Sequence, residues 1–384
     1  KRMPTEPDYR VWRLWIGVTL HDNGLKSMLP NLQFLRDHGT ANPHLWKGLQ
    51  QLISIGSHGG DYTGYVCDFL KNNECVKSLS LSHHAIIGDE FVMSLYENNS
   101  LHELIIRDCM ISYISSHIKK MLMCKKWKTL VIAKMQLACN PVFEGLATNT
   151  FLETLKLKRM GYFDNVKLKE HLIANMTLRH LSLSHNFLSY TDATEIASYI
   201  EANPRLVKLN LNHTGIMPPG SISIAKSLEK NTHLKILKFS NNKLDANGTK
   251  AFAECVKQNK TLVVLDLAFS SVVGANAIIR NASSLKWLDL ARSDASIDQT
   301  ICQILIDNQS LNFIGLSRTS GSINMELVEQ IIIHNKILRN IDLLYNGIRY
   351  DRNLINAMRQ NNTLCELIIS GNKTCDQFED PRIK

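Results

Sequence analysis

A six-residue pattern of apolar side chains, Leu-x-x-Leu-x-Leu, returns along most of the chain at intervals of about 26 residues. About twelve copies can be aligned. They begin at Val76, Leu101, Trp127, Leu152, Leu178, Leu206, Leu234, Leu262, Leu285, Leu311, Leu338 and Leu364. A repeat of this length indicates an array of stacked units that grows along one axis, and not one large globular core.

Each repeat predicts one structural unit. The last two apolar residues of every copy alternate with polar ones, which predicts a short strand with one buried face. The segments between copies carry helical spacing, as at Ala193, Ile196, Ala197 and Ile200. Because no unit can bury its apolar side alone, stacking predicts an α/β solenoid with a parallel sheet on the concave side and helices on the convex side.

A polar position follows each predicted strand. It is filled by His84, Cys109, Met135, Met160, Asn186, Thr214, Asn242, Ser270, Ser293, Thr319, Asn346 and Asn372. Small polar side chains here are expected to bond the backbone of the turn that leaves the strand. Met135 and Met160 predict apolar or distorted turns.

The combined pattern, Asn-x-x-Leu-x-x-Leu-x-Leu-Ser-x-Asn before an Ala-rich helix, resembles the ribonuclease-inhibitor type of leucine-rich repeat. The copies that begin at Leu178, Leu206 and Leu234 are about 28 residues long, as in that cytosolic form. The resemblance covers roughly residues 50 to 375 and implies a horseshoe-shaped leucine-rich-repeat solenoid. It also implies a non-catalytic module that binds a protein on its concave face, within a larger intracellular scaffold, regulator or sensor.

The repeat pattern predicts three segments: an N-terminal cap over residues 1–48, a solenoid of about 13 repeats over residues 49–375, and a C-terminal tail over residues 376–384. The cap is expected to contain a degenerate strand and a helix near Leu25 to Arg36. Residues 42–47 resemble the end of an F-box, which leaves a ubiquitin-ligase adaptor as one alternative. A GTPase regulator is another, although no catalytic arginine or acidic tail can be identified.

The nine cysteines are scattered along the chain, which favours unpaired thiols in a reducing compartment. Asn-x-Ser/Thr triplets such as those at Asn175, Asn259 and Asn308 precede repeats and are interpreted as turn chemistry, not as glycosylation sites. No apolar run approaches the roughly 18 residues that a membrane-spanning helix needs. We therefore expect an intracellular, cytoplasmic protein without a membrane span.

Several residue groups contain the side chains of catalytic or metal sites but not their arrangement. The glycines from Gly56 to Gly64 lack a following Gly-Lys-Ser/Thr, and Ser82-His83 lacks an orienting acid. His185 and His213 occupy one column of adjacent repeats, but a third metal ligand is missing. We expect no enzymatic activity, no metal site and no cofactor.

Basic side chains lie between and just after the strands of the fourth to eighth copies. This basic stripe comprises Lys134, Lys156, Lys158, Arg159, Arg179, Lys208, Lys235 and Lys238. With a formal net charge of +9, it favours a protein partner with an acidic surface or, as the alternative, a nucleic acid. Lysines on a sheet face also serve simply to keep it solvated.

Farther along the chain the same positions become aromatic and mixed in charge. This aromatic patch comprises Asp266, Phe269, Trp287, Asp289, Arg292, Phe313, Arg318, Asp342 and Tyr345. Aromatic rings and arginines bury much area with little loss of rotamer freedom, so the patch is the preferred partner-binding site. Arg292 is expected beside Phe269, and Arg318 beside Tyr345, at cation–π distance. The alternative is that these pairs only stiffen the sheet.

One repeat is predicted to be thinner than its neighbours. From Leu262 to Leu285 the spacing falls to about 23 residues, which leaves room for only one or two helical turns around Ala275 to Ile279.

Overall fold

The structure is a computed structural model of the 384-residue chain. It describes residues 12–17, 49–55, 67, 70–71, 76–82, 89–109, 114–123, 127–135, 139–163, 167–374 and 380–384. The chain divides into two compact units, Lys1–Ser182 and Leu183–Lys384.

The first unit alternates parallel strands with helices. Its strands are β1 (Trp12–Gly17), β2 (Leu49–Ile55), β3 (Ser78–Ser82), β4 (Glu103–Arg107), β5 (Thr129–Ala133), β6 (Thr154–Lys158) and β7 (His180–Ser182). They lie side by side in chain order. Its described helices are α1 (Asp89–Glu97), α2 (Ile114–Met123), α3 (Asn140–Thr148) and α4 (Leu168–Ala174).

The second unit repeats this arrangement with shorter strands. The main sheet contains β8 (Lys208–Asn210), β9 (Ile236–Lys238), β10 (Val264–Asp266), β11 (Trp287–Asp289), β12 (Phe313–Gly315), β13 (Asn340–Asp342) and β15 (Glu366–Ile368). A small second sheet pairs β14 (Arg349–Tyr350) with β16 (Lys373–Thr374). The helices are α5 (Tyr190–Ala202), α6 (Pro218–Lys230), α7 (Ala246–Gln258), α8 (Asn276–Asn281), α9 (Gln299–Asp307), α10 (Met325–His334) and α11 (Arg352–Gln360).

The apolar pattern explains this layering. In the three-residue strands of the second unit the central residue, such as Leu237 or Leu265, is buried, and in all of them except β12 its neighbours along the strand are at least partly exposed. Helices supply the facing layer through residues such as Ile224 and Phe252, which are also buried. The predicted α/β repeat of strand, turn and helix is therefore confirmed.

The polar position after the strands bonds the turn backbone as predicted. The side-chain amide of Asn242 donates to the carbonyls of Leu211 and Phe239, and that of Asn346 donates to Leu316 and Leu343. Each asparagine thereby links its own strand to the preceding one. In the first unit, Met135 and Met160 are buried at this position, so these turns are apolar, as the sequence predicts.

A second set of asparagines lies at the helix ends. The side-chain amide of Asn259 donates to the carbonyls of Leu228 and Asn231, and its oxygen accepts from the N–H groups of Thr261 and Leu262. Asn175 and Asn308 are bonded in the same way. The interpretation of the Asn-x-Ser/Thr triplets as turn chemistry is confirmed.

The repeat after Leu262 has a thin outer layer, as its spacing predicts. Helix α8 has 6 residues, whereas the preceding helix α7 has 13. Asp294 of the next repeat accepts hydrogen bonds from the N–H groups of Gly274 and Ala275, just before α8 begins. Polar bonds thus replace part of the helix packing that the shorter repeat lacks.

Both ends of the described chain take part in a sheet. Strand β1 pairs in parallel with β2, and Ile383 forms a parallel bridge with Leu367 of β15. The guanidinium of Arg382 also donates to the carbonyls of Met358 and Asn361 at the end of α11. The cap helix expected near residues 25–36 and the F-box-like segment at 42–47 lie outside the described residues, and the three segment boundaries stay predictions.

Candidate binding surface

The aromatic patch lies on adjacent strands of the second unit. Trp287 is in register with Phe313, so these two side chains form one row across β11 and β12. Two positions later on the same strands, a second row runs through Asp266, Asp289, Gly315 and Asp342. Residues two apart on a strand point to the same side, so both rows lie on one face of the sheet.

The row of aromatic residues is a stacked pair. The rings of Trp287 and Phe313 lie 3.6 Å apart between centroids with an interplanar angle of 9°. Trp287 is 41% exposed, whereas Phe313 is 8% exposed. Phe313 therefore supports one face of the tryptophan ring, and Trp287 contributes the larger exposed surface.

The residue just before the polar turn position occupies an equivalent place in each repeat, and in successive repeats these residues form a column beside the strand ends. In this patch it contains Phe269, Arg292, Arg318 and Tyr345, all in the left-handed region with φ between 53° and 58°. The backbone N–H of each donates to a carbonyl of the next repeat, as from Phe269 to Ala291 and from Arg292 to Ser317. These bonds continue the sheet ladder and hold a conformation that bulky side chains ordinarily avoid.

The same column brings cations onto aromatic rings. The guanidinium carbon of Arg318 lies 4.7 Å from the centre of the Tyr345 ring, and that of Arg292 lies 5.7 Å from the centre of Phe269. Both contacts predicted from the column are therefore present. Phe269 and Tyr345 nevertheless stay 41% and 52% exposed, so the pairs leave an open aromatic surface.

The aspartate carboxylates at the ends of the strands accept hydrogen bonds from the backbone of the following turn. An oxygen of Asp266, Asp289 and Asp342 accepts from the N–H two residues later, at Ala268, Ala291 and Leu344 respectively. An asparagine serves equally well, because Asn210 accepts from the N–H of Asn212 in the same way at the end of β8. The turn therefore needs an oxygen here and does not need a negative charge.

Burial makes these charges costly. Desolvation and, to a smaller extent, the nearby carboxylates of Asp266 and Asp342 raise the pKa of Asp289 to about 6. Desolvation also raises the pKa of Asp266 and Asp342. Lys238 and His213 partly offset the effect at Asp266, whereas the charged groups that act on Asp289 from the described residues are carboxylates.

Gly315 leaves a gap in the row of carboxylates. A Cβ atom at this residue would lie 2.5 Å from Oδ1 of Asp289 and 3.1 Å from the Phe313 ring. The carboxylate of Asp289 thus occupies space that a side chain at residue 315 would fill. Gly315 is buried beneath this carboxylate, which lies over the strand next to Asp342 and beside the stacked aromatic pair.

The basic stripe is divided between the two units. Lys134, Lys156, Lys158, Arg159 and Arg179 belong to the first unit, and Lys208, Lys235 and Lys238 belong to the second. Lys156 and Lys158 are on β6, whereas Lys134 and Arg159 follow β5 and β6 with positive φ. Nζ of Lys134 lies 3.7 Å from Oδ2 of Asp108, which follows β4. The sheet face of each unit therefore carries basic side chains of its own.

In the repeats before the aromatic patch, the same column holds polar residues. The imidazoles of His185 and His213 stack with 4.4 Å between centroids, and Nδ1 of His213 is 2.8 Å from the side-chain amide of Asn241. In the part of the chain that the structure describes, no three His, Cys, Asp or Glu side chains meet in a way that could hold a metal ion. Gly56, Gly59, Gly60, Gly64 and His83 lie outside it.

The rows and columns of the patch follow from the sequence, but two of its features do not. The left-handed turn is unexpected, because Phe, Arg and Tyr do not favour it; only its recurrence with Asn241 and Gly371 in the same column signals it. Gly315 is also absent from the predicted site. Its signal is a glycine in the column that otherwise holds Asp266, Asp289 and Asp342.

Comparisons with known proteins agree with the architecture. A family model described as leucine-rich repeat matches residues 72–95, 174–197 and 230–253. No curated protein sequence shows significant similarity to the chain. Within the described residues, no helix is long and apolar enough to cross a membrane.

Two solved structures are similar in fold. The TLR13–ssRNA13 complex matches with a TM-score of 0.55 and 18% identity over 88% of this chain and 44% of TLR13, so the chain spans less than half of that protein's length. An internalin from Listeria monocytogenes matches with a TM-score of 0.51 and 16% identity over 90% of each chain. Repeat solenoids of this kind are typically binding modules. The repeats, the alternating strands and helices and these likenesses together show that the chain has the fold of an α/β leucine-rich-repeat solenoid.

Proposed function

We propose that the chain is a non-catalytic module that binds a protein partner through the aromatic patch of its second unit. The observation that carries this proposal is the open aromatic surface formed by Trp287, Phe269 and Tyr345 on neighbouring repeats. Phe313 and Arg318 support these rings, so little side-chain entropy is lost when a partner covers them. Rigid aromatic and arginine side chains at the centre of a surface are the usual hot spots of protein interfaces.

The proposal also covers the larger protein that contains the module, its repeat type and its cellular compartment. It belongs to a larger intracellular scaffold, regulator or sensor, and its repeats are of the ribonuclease-inhibitor type. The 13-residue helices α5, α6 and α7 support that repeat type. Cys255 and Cys302, two buried free thiols, support a reducing compartment such as the cytoplasm.

Binding measurements on surface variants test the function. The immobilised chain is used to capture proteins from its native source, and the captured protein is then titrated against purified variants. Trp287→Ala and Tyr345→Ala are expected to weaken binding by about 2 kcal/mol or more, while the far-UV spectrum and melting temperature stay close to the parent. Tyr190→Ala is the matched control, because this exposed tyrosine lies on α5 away from the patch. Parental affinity in both patch variants would show that the partner site lies elsewhere.

Nucleic acid is the second candidate ligand. The observation in its favour is the group of Lys156, Lys158 and Arg159 at the end of β6 in the first unit, together with Lys134 after β5. TLR13, which shares the fold, was solved as a complex with ssRNA13. Phosphate contacts make affinity fall steeply with salt concentration, whereas aromatic anchoring does not, so a salt titration separates the two candidates.

A further inference from the structure

The carboxylates of the aromatic patch indicate what kind of partner it takes. Asp289 and Asp342 are partly buried on the same sheet face as Trp287. Across the described residues, no ion pair joins Asp266, Asp289 or Asp342 to a basic side chain. The cations of the patch, Arg292 and Arg318, lie over aromatic rings in the neighbouring column.

These negative charges are not required by the fold. The turn oxygen that each carboxylate supplies is supplied by an uncharged side chain at Asn210, in the same position of an earlier repeat. Desolvation and the neighbouring carboxylates both disfavour the charge on Asp289. A neutral amide at this position would keep the hydrogen bond to Ala291 without that cost.

A partner that covers this sheet face has to neutralise the negative charges of its carboxylates. Any protein that binds over Trp287 removes further water from the adjacent carboxylates, and burying an unpaired charge is strongly unfavourable. An acidic or wholly apolar partner surface is therefore disfavoured at this point. A basic side chain makes the same burial favourable, because it forms charge-assisted hydrogen bonds with the carboxylate oxygens.

The position of the Asp289 carboxylate lets one basic side chain reach two acids. Asp289 and Asp342 lie two strands apart, so their backbones are about 10 Å from each other. A Cβ at residue 315 would clash with the Asp289 carboxylate, so glycine lets this carboxylate lie over the strand between them, next to Asp342. A cation above this carboxylate therefore faces both acids, and the stacked rings of Phe313 and Trp287 lie beside it.

We propose that the aromatic patch binds a basic polypeptide segment, with an arginine or lysine side chain of the partner bonded to the carboxylates of Asp289 and Asp342. The aliphatic part of that side chain packs against Trp287, and the segment runs across the strands. This inference rests on the proposed function, because it names the partner chemistry of the same surface. It excludes an acidic partner at this patch, which the basic stripe alone would favour.

A selection from random peptides tests the chemistry while the natural partner is still unidentified. Displayed peptides of about 12 residues are selected on the full chain, and the selected sequences are compared with those from the Trp287→Ala and the double Asp289→Asn, Asp342→Asn variants. We expect enrichment of Arg and Lys on the parent chain, and loss of that enrichment on the double variant. Both substitutions keep the turn oxygens, so the double variant is expected to fold, and its melting curve checks this.

A charge exchange on the best peptide makes the test quantitative. Replacing its selected arginine by citrulline, which has nearly the same shape and no charge, is expected to weaken binding to the parent about tenfold or more and to leave binding to the double variant nearly unchanged. Glu201→Gln, which removes an exposed charge on α5, is the control and is expected to behave as the parent.

The outcomes separate the two proposals. Peptides that need Trp287 but show no enrichment of basic residues, or bind equally well with citrulline, would overturn the inference and leave the aromatic binding site standing. Selected peptides that bind the Trp287→Ala variant as well as the parent, or a selection without any binder, would overturn the aromatic site as well.

Discussion

The sheet face predicts an unusual pH dependence for one conservative substitution, Asp289→Asn. The amide oxygen of asparagine still accepts from the N–H of Ala291, so the turn is preserved while the charge is removed. The charged groups that face Asp289 are Asp266 on β10 and Asp342 on β13, and residue 315 of the intervening strand is glycine. The substitution therefore relieves desolvation and like-charge repulsion at once.

The magnitude follows from the pKa of the Asp289 carboxyl. In the folded protein this pKa is raised to about 6, compared with about 3.9 in an unfolded chain. The folded state thus holds the proton more tightly. Its contribution to the free energy of unfolding is fully present below about pH 4, is lost as the pH rises toward 6, and stays lost above that. The full difference corresponds to about 3 kcal/mol, and partial solvent access to the carboxylate reduces it to about 1 to 2 kcal/mol.

Urea denaturation at pH 4, 5, 6 and 7 measures this effect. The free energy of unfolding of Asp289→Asn minus that of the parent is expected to be near zero at pH 4 and to rise to about 1 to 2 kcal/mol at pH 7. Using the difference cancels the titration of the groups that do not interact with Asp289, so the change reports on Asp289 and its two neighbouring carboxylates. A difference that is the same at pH 4 and pH 7 would show that the Asp289 carboxylate is well solvated, and the reasoning on its charge would be wrong.

Three further substitutions test other parts of the structure. Asn259→Ala removes the amide that bonds two carbonyls and two N–H groups at the end of α7. It is expected to lower the free energy of unfolding by about 3 kcal/mol in urea titrations. A loss below about 1 kcal/mol would contradict the structural role of this amide. Gly371→Ala places a Cβ against the Tyr345 ring at a φ of 75° and is expected to lower the free energy of unfolding by about 1 to 3 kcal/mol. This loss should be smaller in a Tyr345→Ala background, and an equal loss in both backgrounds would exclude the clash with the ring. Lys156→Ala is expected to slow association with an acidic protein or a nucleic acid and to flatten the salt dependence, measured by stopped flow; unchanged rates at low salt would remove the basic stripe from consideration.

The sequence predicts the positions of the strands because leucine periodicity determines which side of each strand is buried. Leu265 and Leu288 are buried as expected, and the side chains beside them on the strands are partly or largely exposed. The pattern does not give the height of a side chain above the sheet. The sequence therefore does not predict that Phe313 is only 8% exposed and stacks on the Trp287 ring, and its part in the contact surface stays a prediction.

The features that the sequence does not reveal depend on contacts between repeats. The left-handed turn at Phe269 opposes the residue's own preference and is held by a hydrogen bond to Ala291 of the next repeat. The raised pKa of Asp289 depends on desolvation by the surrounding repeats and on the carboxylates of two other strands. None of these effects is local in the chain, so propensity and periodicity do not report them.

The short helix α8 has a consequence for the way the second unit unfolds. In a linear array, cooperativity is transmitted only between neighbouring repeats, so the interface with the least apolar contact is where the unfolding of one side becomes uncoupled from the other. The six-residue α8 makes the repeat that begins at Leu262 this weak point. Phe269 belongs to that repeat and Arg292 to the next, so a ligand on the aromatic patch bridges the weak interface. We expect its binding to merge two unfolding steps into one, in addition to raising the melting temperature.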